Sequence, residues 1–344
     1  MAEVATLPEP LAAVAPPKGR HGAAAWAIWL ARRLGLALLT LWLVSVLVFV
    51  ATAALGDPVR AILGRDYEAN PGRVESLTEQ LQLDQPLVAR YFSWLGGLLT
   101  GDPGTSIASQ RPVGELIASN VVNTLVLVLL AAVVMIPVAF GIAMISANYR
   151  RRKGDTIIQS VLLTIAGMPE FVVGILLVAL FSTTVFQVLP AVTISAQDGH
   201  PWDTPSTMVL PVATLVLAVT PYVSRIVRAT LLEVLDSDYV ELARLKGIPE
   251  AVVMRKHALL NAVVPGIQVV ALQLAWLAGG VVLVEFLFSY PGIGAQLVDS
   301  VRNHDVPMVQ ALSMIIAGVY VVVNLVADLL SILLTPRART AISS

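Results

Sequence analysis

The sequence predicts an all-α membrane protein with six transmembrane helices. Of its 344 residues, 57% are hydrophobic and only 13% are charged, whereas a soluble domain usually carries about 25% charged residues. Six long apolar stretches approach or exceed the roughly 20 residues with which a helix crosses a bilayer. Most lysines and arginines fall in alternate connections between these stretches, as they do in multi-spanning membrane proteins.

The six predicted spans differ in regularity. The first is an uncharged run of 21 residues that follows the basic pair Arg32 and Arg33. The third is interrupted by the sequence Gly-Met-Pro-Glu, which ends at Glu170, and the fourth is short. The predicted spans are 35–55, 121–147, 157–188, 207–223, 263–284 and 306–334.

Charge asymmetry predicts the orientation. If both termini are cytoplasmic, the inner segments hold sixteen lysines and arginines and the outer segments hold six. Short cytoplasmic loops retain positive charge, so both termini are expected in the cytoplasm. The domains expected are a disordered cytoplasmic tail 1–24, a first transmembrane helix 25–55, an extracytoplasmic helical loop domain 56–118, a transmembrane core 119–335 with a cytoplasmic loop 224–262, and a cytoplasmic tail 336–344.

The loop 224–262, called the coupling segment below, is rich in charge and lies between strongly apolar stretches. Four leucines recur in it at helical spacing and predict one apolar stripe along a polar helix. These leucines are Leu231, Leu235, Leu242 and Leu245. Asp236 and Asp238 fall where helix starts are often capped, and Gly247 with Pro249 is typical of a turn between two helices.

This pattern predicts a bent pair of short amphipathic helices that docks on a partner protein. The alternative is a helix that lies on lipid. Such a helix would carry Trp or Phe on its apolar face, and the coupling segment contains neither. Docking is therefore the favoured interpretation.

Several stretches resemble the permease subunits of ATP-binding-cassette (ABC) importers, in the form found in dipeptide and oligopeptide permeases. DYVELARLKG followed by HALLNA resembles the cytoplasmic EAA loop of that family. Its other signatures are similar, in the same order, to LGDPVRAILG, LGGLLTGDPGTS, RPVGELI, VEFLFSYPGIG and NLVADLLSILLTPRAR. The resemblance covers residues 30–339. It departs from the broad pattern at Leu242, where Ala is common, and at Ser331 and Thr335.

The resemblance implies a type I permease fold in a bacterial inner membrane. It implies a second homologous permease, two ATPase subunits, an extracytoplasmic binding protein and a di- or oligopeptide cargo. The chain itself is expected to be neither an enzyme nor a cofactor-binding protein, since ATP and magnesium would bind the ATPase subunits. A phosphate-binding loop needs Gly-Lys-Ser/Thr, and the four lysines follow Pro, Arg, Leu and Arg. The near-zero net charge predicts no nucleic-acid partner.

Three groups of candidate residues follow. The ATPase-coupling candidates are Asp238, Tyr239, Glu241, Ala243, Lys246, Gly247, Ile248, Pro249 and His257. The translocation-path candidates are Pro169 and Glu170, and the structural or gating candidates are Glu285, Pro291, Gly292, Gly294 and Asp328. No metal site is expected, because the chain has no cysteine and its four histidines are scattered.

Three acids lie in or next to predicted spans, and each is expected to face protein or water, because burying an ionisable group in lipid is costly. Glu170 either lines the path and meets the amino terminus of a peptide, or is protonated and bonded to a neighbouring helix. Glu285 is expected to tie the outer segment, and Asp328 to form an ion pair or bind an N–H group.

Two other functions stay open. The same fold serves permeases for nickel, glutathione, oligosaccharide or haem, which the coupling segment does not distinguish. A stand-alone secondary transporter would show an inverted repeat and several embedded ion ligands. No clear repeat relates the first three spans to the last three.

Overall fold

The computed structural model of the protein describes residues 22–54, 58–63, 67–80, 83–193 and 199–334. Within these ranges the chain forms thirteen α-helices and no β-strand beyond one isolated bridge between Thr105 and Pro112. The first helix begins at Gly22, so the last three residues predicted as tail are helical. The rest of that tail and the predicted tail 336–344 lie outside the described residues.

The first seven helices include three of the predicted spans and the predicted outer loop domain. They are α1 Gly22–Ala54, α2 Pro58–Leu63, α3 Pro71–Gln80, α4 Leu87–Thr100, α5 Val113–Asn148, α6 Lys153–Ala166 and α7 Glu170–Val178. A π-helical turn, Ala179–Thr183, follows α7. α5 continues through Pro137 without a break, although proline removes one backbone hydrogen bond from a helix.

The second half contains the coupling segment and the remaining spans. Its helices are α8 Val209–Leu235, α9 Asp238–Leu245, α10 Glu250–Val252, α11 Leu259–Leu287, α12 Ile293–Arg302 and α13 Val306–Leu334. A π-helical segment, Val253–Ala258, joins α10 to α11. Two short 3₁₀ turns, Pro201–Asp203 and Pro205–Met208, precede α8.

Four helices in the described ranges are long and apolar enough to cross a membrane, and the number is six if two bent pairs are each one span. The first pair, Lys153–Ala166 with Glu170–Thr183, bends by 103° at the predicted interruption of the third span. Met168 precedes proline and is therefore restrained from helical geometry. The second pair, Glu250–Val263 with Pro265–Leu277, bends by 49°.

The core is organised around α8, which packs against α5, α6, α7 and α11. Buried residues make up 67% of the most apolar stretch in Pro205–Leu235 but only 17% in Trp26–Ala54. Fully buried side chains recur at four-residue spacing along α8, from Leu215 to Leu231, so a continuous row faces its neighbours. α1 instead turns most of its apolar surface outward, where lipid or another subunit can cover it.

Candidate functional site

The coupling segment differs from the predicted pair of short helices. α8 continues without a break from the fourth span to Leu235, so the first part of the segment is the end of a span helix. Leu231 and Leu235 extend the buried row of α8, and this packing explains why the helix continues. Ser237, in extended geometry with φ −82° and ψ 150°, then precedes α9. Neither Asp236 nor Asp238 caps that helix, since Asp236 ends α8.

The predicted turn after α9 is present and has a defined hydrogen-bond pattern. Gly247 adopts a positive φ of 75°, a conformation that favours glycine. The N–H of Gly247 donates to the carbonyl of Arg244 at 2.9 Å, and that of Ile248 donates to the carbonyl of Ala243 at 3.2 Å. These two bonds form a Schellman motif, which fixes the direction in which the chain leaves α9.

The single predicted leucine stripe is wrong, because α8 and α9 point their leucines in different directions. Leu231 and Leu235 are buried, whereas Leu242 and Leu245 are 52% and 79% exposed. On α9 itself, the buried side chains are Val240 and Ala243. Ala243 was expected to seat in a partner and instead packs within this chain. The outward apolar face of α9 consists of Tyr239, Leu242 and Leu245.

The remaining coupling candidates flank that face. Asp238, Glu241 and Lys246 are exposed, and Ile248 is half-buried. Pro249 precedes the first residue of α10 and has extended geometry with φ −57° and ψ 140°. His257 lies in the π-helical segment Val253–Ala258.

Two arginines hold this region together: one fastens α9 to the end of α8, and the other fastens the end of α8 to the turn between α5 and α6. Arg244 donates two hydrogen bonds to Glu250, at 2.7 and 3.0 Å, and one to the carbonyl of Leu235 at 3.1 Å. Arg150 pairs with Asp236 at 2.5 Å. Its hydrogen bond lowers the pKa of Asp236, and the charge of Arg244 acts in the same direction.

A second ion pair lies deeper, where α5, α6 and α8 meet. Arg228 donates two hydrogen bonds to Asp155, one of them at 3.0 Å, and Ser146 donates a third at 2.6 Å. Asp155 is buried, so its charge needs these donors. The sequence analysis did not select these residues. The available signal was their position, since Asp155 follows the basic run 150–153 and Arg228 lies in the charge-rich coupling segment.

The break in the third span places Glu170 at the start of α7, directly after Pro169. Tyr222, near the middle of α8, donates a hydrogen bond of 3.4 Å to the carbonyl of Ala166 beside the break. The Glu170 side chain is partly exposed. Among the described residues, it has no hydrogen-bond or ion-pair partner. The bonded neighbour expected under the packing alternative is therefore not found in this part of the chain.

At the other end of the bundle, Glu285 joins three elements. It is fully buried on α11 and accepts a hydrogen bond from Thr124 of α5 at 2.6 Å. The backbone N–H groups of Gly294 and Ala295, in the first turn of α12, donate to the same side chain at 2.7 and 3.3 Å. Thr124 also accepts from the N–H of Ile293 at 2.9 Å. This cluster is called the outer anchor below.

The turn before α12 needs its glycines to make this contact. A Cβ atom at Gly294 would lie 2.4 Å from the Cα of Val282, and one at Gly292 would overlap Glu285. The side-chain amide of Asn123 donates to the backbone carbonyl of Pro291 at 2.8 Å. The backbone carbonyl of Asn123 accepts from the Tyr290 hydroxyl at 2.8 Å. The close approach of the Glu285 carboxylate to position 292, and of the Val282 backbone to position 294, therefore explains the two glycines of Pro-Gly-Ile-Gly.

A buried acid that the sequence analysis missed fastens the other end of α12. Asp305 accepts hydrogen bonds from the Ser106 hydroxyl at 2.5 Å and from the N–H groups of Ile107 and Met308 at 3.1 and 3.4 Å. It thus joins the segment before α5 to the start of α13. Ser106 belongs to a motif quoted above, but its partner is 199 residues away.

Asp328 forms an ion pair, which is one of the two roles expected for it. Its carboxylate lies 2.8 Å from Arg33, and Arg33 also stacks over the Trp29 ring at 5.6 Å. The pair joins α13 to α1.

Comparison with known proteins identifies the family. Residues 139–340 match the family described as "Binding-protein-dependent transport system inner membrane component". Residues 27–131 match "Binding-prot-dependent transport system membrane comp, N-term". This chain belongs to that family of permeases.

Curated relatives support the same assignment. The permease is 36% identical over 301 residues to the "Glutathione transport system permease protein GsiC" of Escherichia coli (strain K12), which covers 87% of this chain and 95% of the relative. It is 37% identical over 313 residues to the protein of that name from Salmonella choleraesuis (strain SC-B67), with 90% and 98% covered. The chain is thus an ABC-importer permease subunit, a multi-pass inner-membrane transport component rather than an enzyme.

Proposed function

We propose that this permease forms half of the translocation path of an ATP-driven importer of short peptides, and that α9 docks on an ATPase subunit. The observation that carries the docking proposal is the outward apolar face Tyr239, Leu242 and Leu245, on a helix whose opposite face is buried. An amphipathic helix with an apolar face fits a groove on a partner. Because Val240 and Ala243 hold α9 in the core, a push on the exposed face is passed into the bundle.

The partners follow from the family and the charge distribution. A second, homologous permease would complete the path, and two ATPase subunits would bind at the cytoplasmic side. The sixteen-to-six distribution of basic residues supports a cytoplasmic coupling segment and cytoplasmic termini. The domain 56–118 would then face outward and receive the substrate-binding protein.

The cargo proposed is a short peptide, a class that includes glutathione. It is supported by relatives whose printed name is a glutathione transport permease, at 36–37% identity. Glu170 supports the same class, because a partly exposed carboxylate at a helix break, with no partner in the described part of the chain, offers a contact for a cationic amino terminus. No observation on this chain favours nickel, oligosaccharide or haem.

Cross-linking tests the docking face, and the absence of cysteine from this chain makes the experiment simple. Leu242→Cys and Leu245→Cys place a thiol on the exposed face of α9, and Val240→Cys places one on its buried face. Co-expressed with candidate ATPase and sister-permease subunits, the first two variants should cross-link to the ATPase through a maleimide–benzophenone reagent, which alkylates the new thiol and on illumination inserts into a C–H bond of the neighbouring subunit. The third variant should not cross-link. Equal cross-linking of the three, or none in an active assembly, would contradict the docking proposal.

Competition tests the cargo. Vesicles containing the whole assembly and its binding protein would be given a labelled tripeptide with an excess of glutathione, a dipeptide, nickel ion, haem or an oligosaccharide. The proposal predicts that unlabelled glutathione or a short peptide displaces the label. Exclusive displacement by nickel, haem or the oligosaccharide would assign a different cargo.

A further inference from the structure

Charged side chains link α9, one contact after another, to α6, the helix that leads to the break at Glu170. Arg244 on α9 donates to the carbonyl of Leu235, the last residue of α8. The next residue, Asp236, pairs with Arg150 in the turn between α5 and α6 at 2.5 Å. In the first turn of α6, Asp155 pairs with Arg228 of α8.

Apolar packing makes α9 and the end of α8 one body. Val240 and Ala243 of α9 belong to the same buried cluster as Leu231 and Leu235 of α8. Val253, in the π-helical segment beyond the turn, is buried in that cluster too. Packed interiors are dense and transmit displacement rather than absorb it. A partner that moves α9 therefore also moves the end of α8.

The contacts between α8 and α6 are of another kind. α6 leaves large apolar side chains such as Ile157, Val161 and Leu163 exposed, and of its residues only Asp155 and Leu162 are buried. Two polar contacts attach it to α8. Arg228 binds Asp155 with two hydrogen bonds, and Ser146 donates to the same carboxylate; Tyr222 donates a longer bond of 3.4 Å to the carbonyl of Ala166. Arginine grips a carboxylate with a planar fork that resists rotation as well as separation. Motion of α8 thus reaches α6 through polar contacts, of which the Arg228–Asp155 pair is the strongest.

α6 ends four residues before Glu170, at the 103° bend of the third span. A rotation of α6 changes the angle of that bend, because the intervening Gly-Met-Pro has no continuous helical hydrogen bonding. The same rotation displaces the start of α7, where Glu170 lies. The charged contacts therefore connect α9 to a residue of the proposed path.

We propose that two ion pairs, Arg150–Asp236 and Arg228–Asp155, pass the movement of α9 to the bent helices α6 and α7 and so change access at Glu170. The two ion pairs are together called the ion-pair relay, and their four side chains are positioning residues. This inference rests on the proposed function. If the ion pairs only stabilised the fold, their loss would lower stability and assembly and nothing else. The relay predicts in addition that their loss separates ATP hydrolysis from import.

The Arg150–Asp236 pair is suited to a test because both side chains are partly exposed, so a substitution buries no charge. The variants are Arg150→Asp, Asp236→Arg and the double exchange. Lys153→Asp is the matched control, since it reverses an exposed charge at the start of α6 that forms no ion pair among the described residues. Each variant is purified with its partner subunits in vesicles, and peptide imported per ATP hydrolysed is measured with the binding protein present.

The single variants should keep assembly and hydrolyse ATP within about twofold of wild type, while peptide imported per ATP falls about threefold to tenfold, the range of coupling changes for residues between two sites. The double exchange should restore at least half of the wild-type ratio, and Lys153→Asp should leave the ratio unchanged.

Three results would overturn the relay: single variants with the wild-type ratio, single variants in which hydrolysis and import fall together, or an assembled double exchange that stays uncoupled. Arg228→Lys provides an independent check, because lysine keeps the charge but loses the fork. It should lower the ratio as well, and an unchanged ratio would count against the relay. A wild-type assembly without ATP-driven import would instead overturn the proposed function itself.

Discussion

A Cβ atom at position 292 would lie 2.1 Å from Oε1 of Glu285. The carboxylate of Glu285 thus occupies the space that a side chain at Gly292 would need. This relation explains how a fully buried acid at the end of α11 reaches the N–H groups of α12. The glycine supplies room rather than an unusual backbone conformation, since its φ is −112°.

Gly292→Ala should therefore destabilise the outer anchor. Overpacking of a dense interior costs about 1–3 kcal/mol, and the overlap here involves a carboxylate that already has three donors. Thermal unfolding in detergent, followed by intrinsic fluorescence, should show a lower midpoint. Gly72→Ala in α3 is the control, because no atom lies within 4 Å of its built Cβ. Equal midpoints for the two variants would contradict the steric account.

The hydrogen bond between Thr124 and Glu285 should make their substitutions non-additive. Thr124→Val removes one donor from Glu285 and leaves the N–H of Ile293 without its acceptor. Glu285→Gln keeps one acceptor oxygen for the N–H groups of Gly294 and Ala295 and turns an amide NH₂ toward Thr124, whose hydroxyl donated to the carboxylate. Each loss of a buried partner costs about 1–3 kcal/mol. The double variant should cost less than the sum of the two, measured by chemical denaturation, whereas strict additivity would show that the two groups are independent.

Asp305→Asn should loosen the segment before α5 without unfolding the bundle. The amide keeps one acceptor oxygen, whereas the carboxylate accepts from Ser106, Ile107 and Met308. Hydrogen exchange should speed up at the N–H of Ile107 and its neighbours while that of α8 stays protected. Asp299→Asn, at an exposed position on α12, serves as the control. Unchanged exchange at Ile107 would rule out the role given to Asp305.

Glu170→Gln should weaken transport of peptides that carry a free amino terminus. The change removes the charge that would contact the ammonium group and alters volume little. In vesicles with the full assembly, uptake of an unmodified dipeptide should fall about tenfold, the size of a partly exposed charge contact of about 1.4 kcal/mol. Uptake of the N-acetylated dipeptide should not change between wild type and variant. An equal loss for both peptides would place Glu170 in packing rather than in recognition.

Apolar length and proline placement were sufficient to predict that the apolar stretches are helical and that a break precedes Glu170. The glycine after the predicted helix was likewise sufficient to predict the turn at Gly247, because glycine commonly ends a helix with a positive φ. Helical spacing alone, however, did not show that Leu231 and Leu242 belong to different helices with different faces. That division depends on Leu231 packing with the rest of α8, which is a tertiary effect.

The polar contacts were harder to predict. Arg228 and Asp155 are 73 residues apart and Ser106 and Asp305 are 199 apart, so no local pattern relates them. Glu285 was expected to tie the outer segment because it lies at the end of the fifth predicted span, six positions before Pro291. Its hydroxyl partner Thr124 lies in an apolar stretch with nothing to distinguish it.

The most direct test of the central claim is substrate uptake into vesicles that contain this permease with and without its ATPase subunits. If the chain is half of the path of an ATP-driven importer, labelled peptide should accumulate only when the sister permease, the ATPases, the binding protein and ATP are all present. Accumulation driven by an ion gradient in vesicles that contain this chain alone would contradict the account and identify a stand-alone transporter.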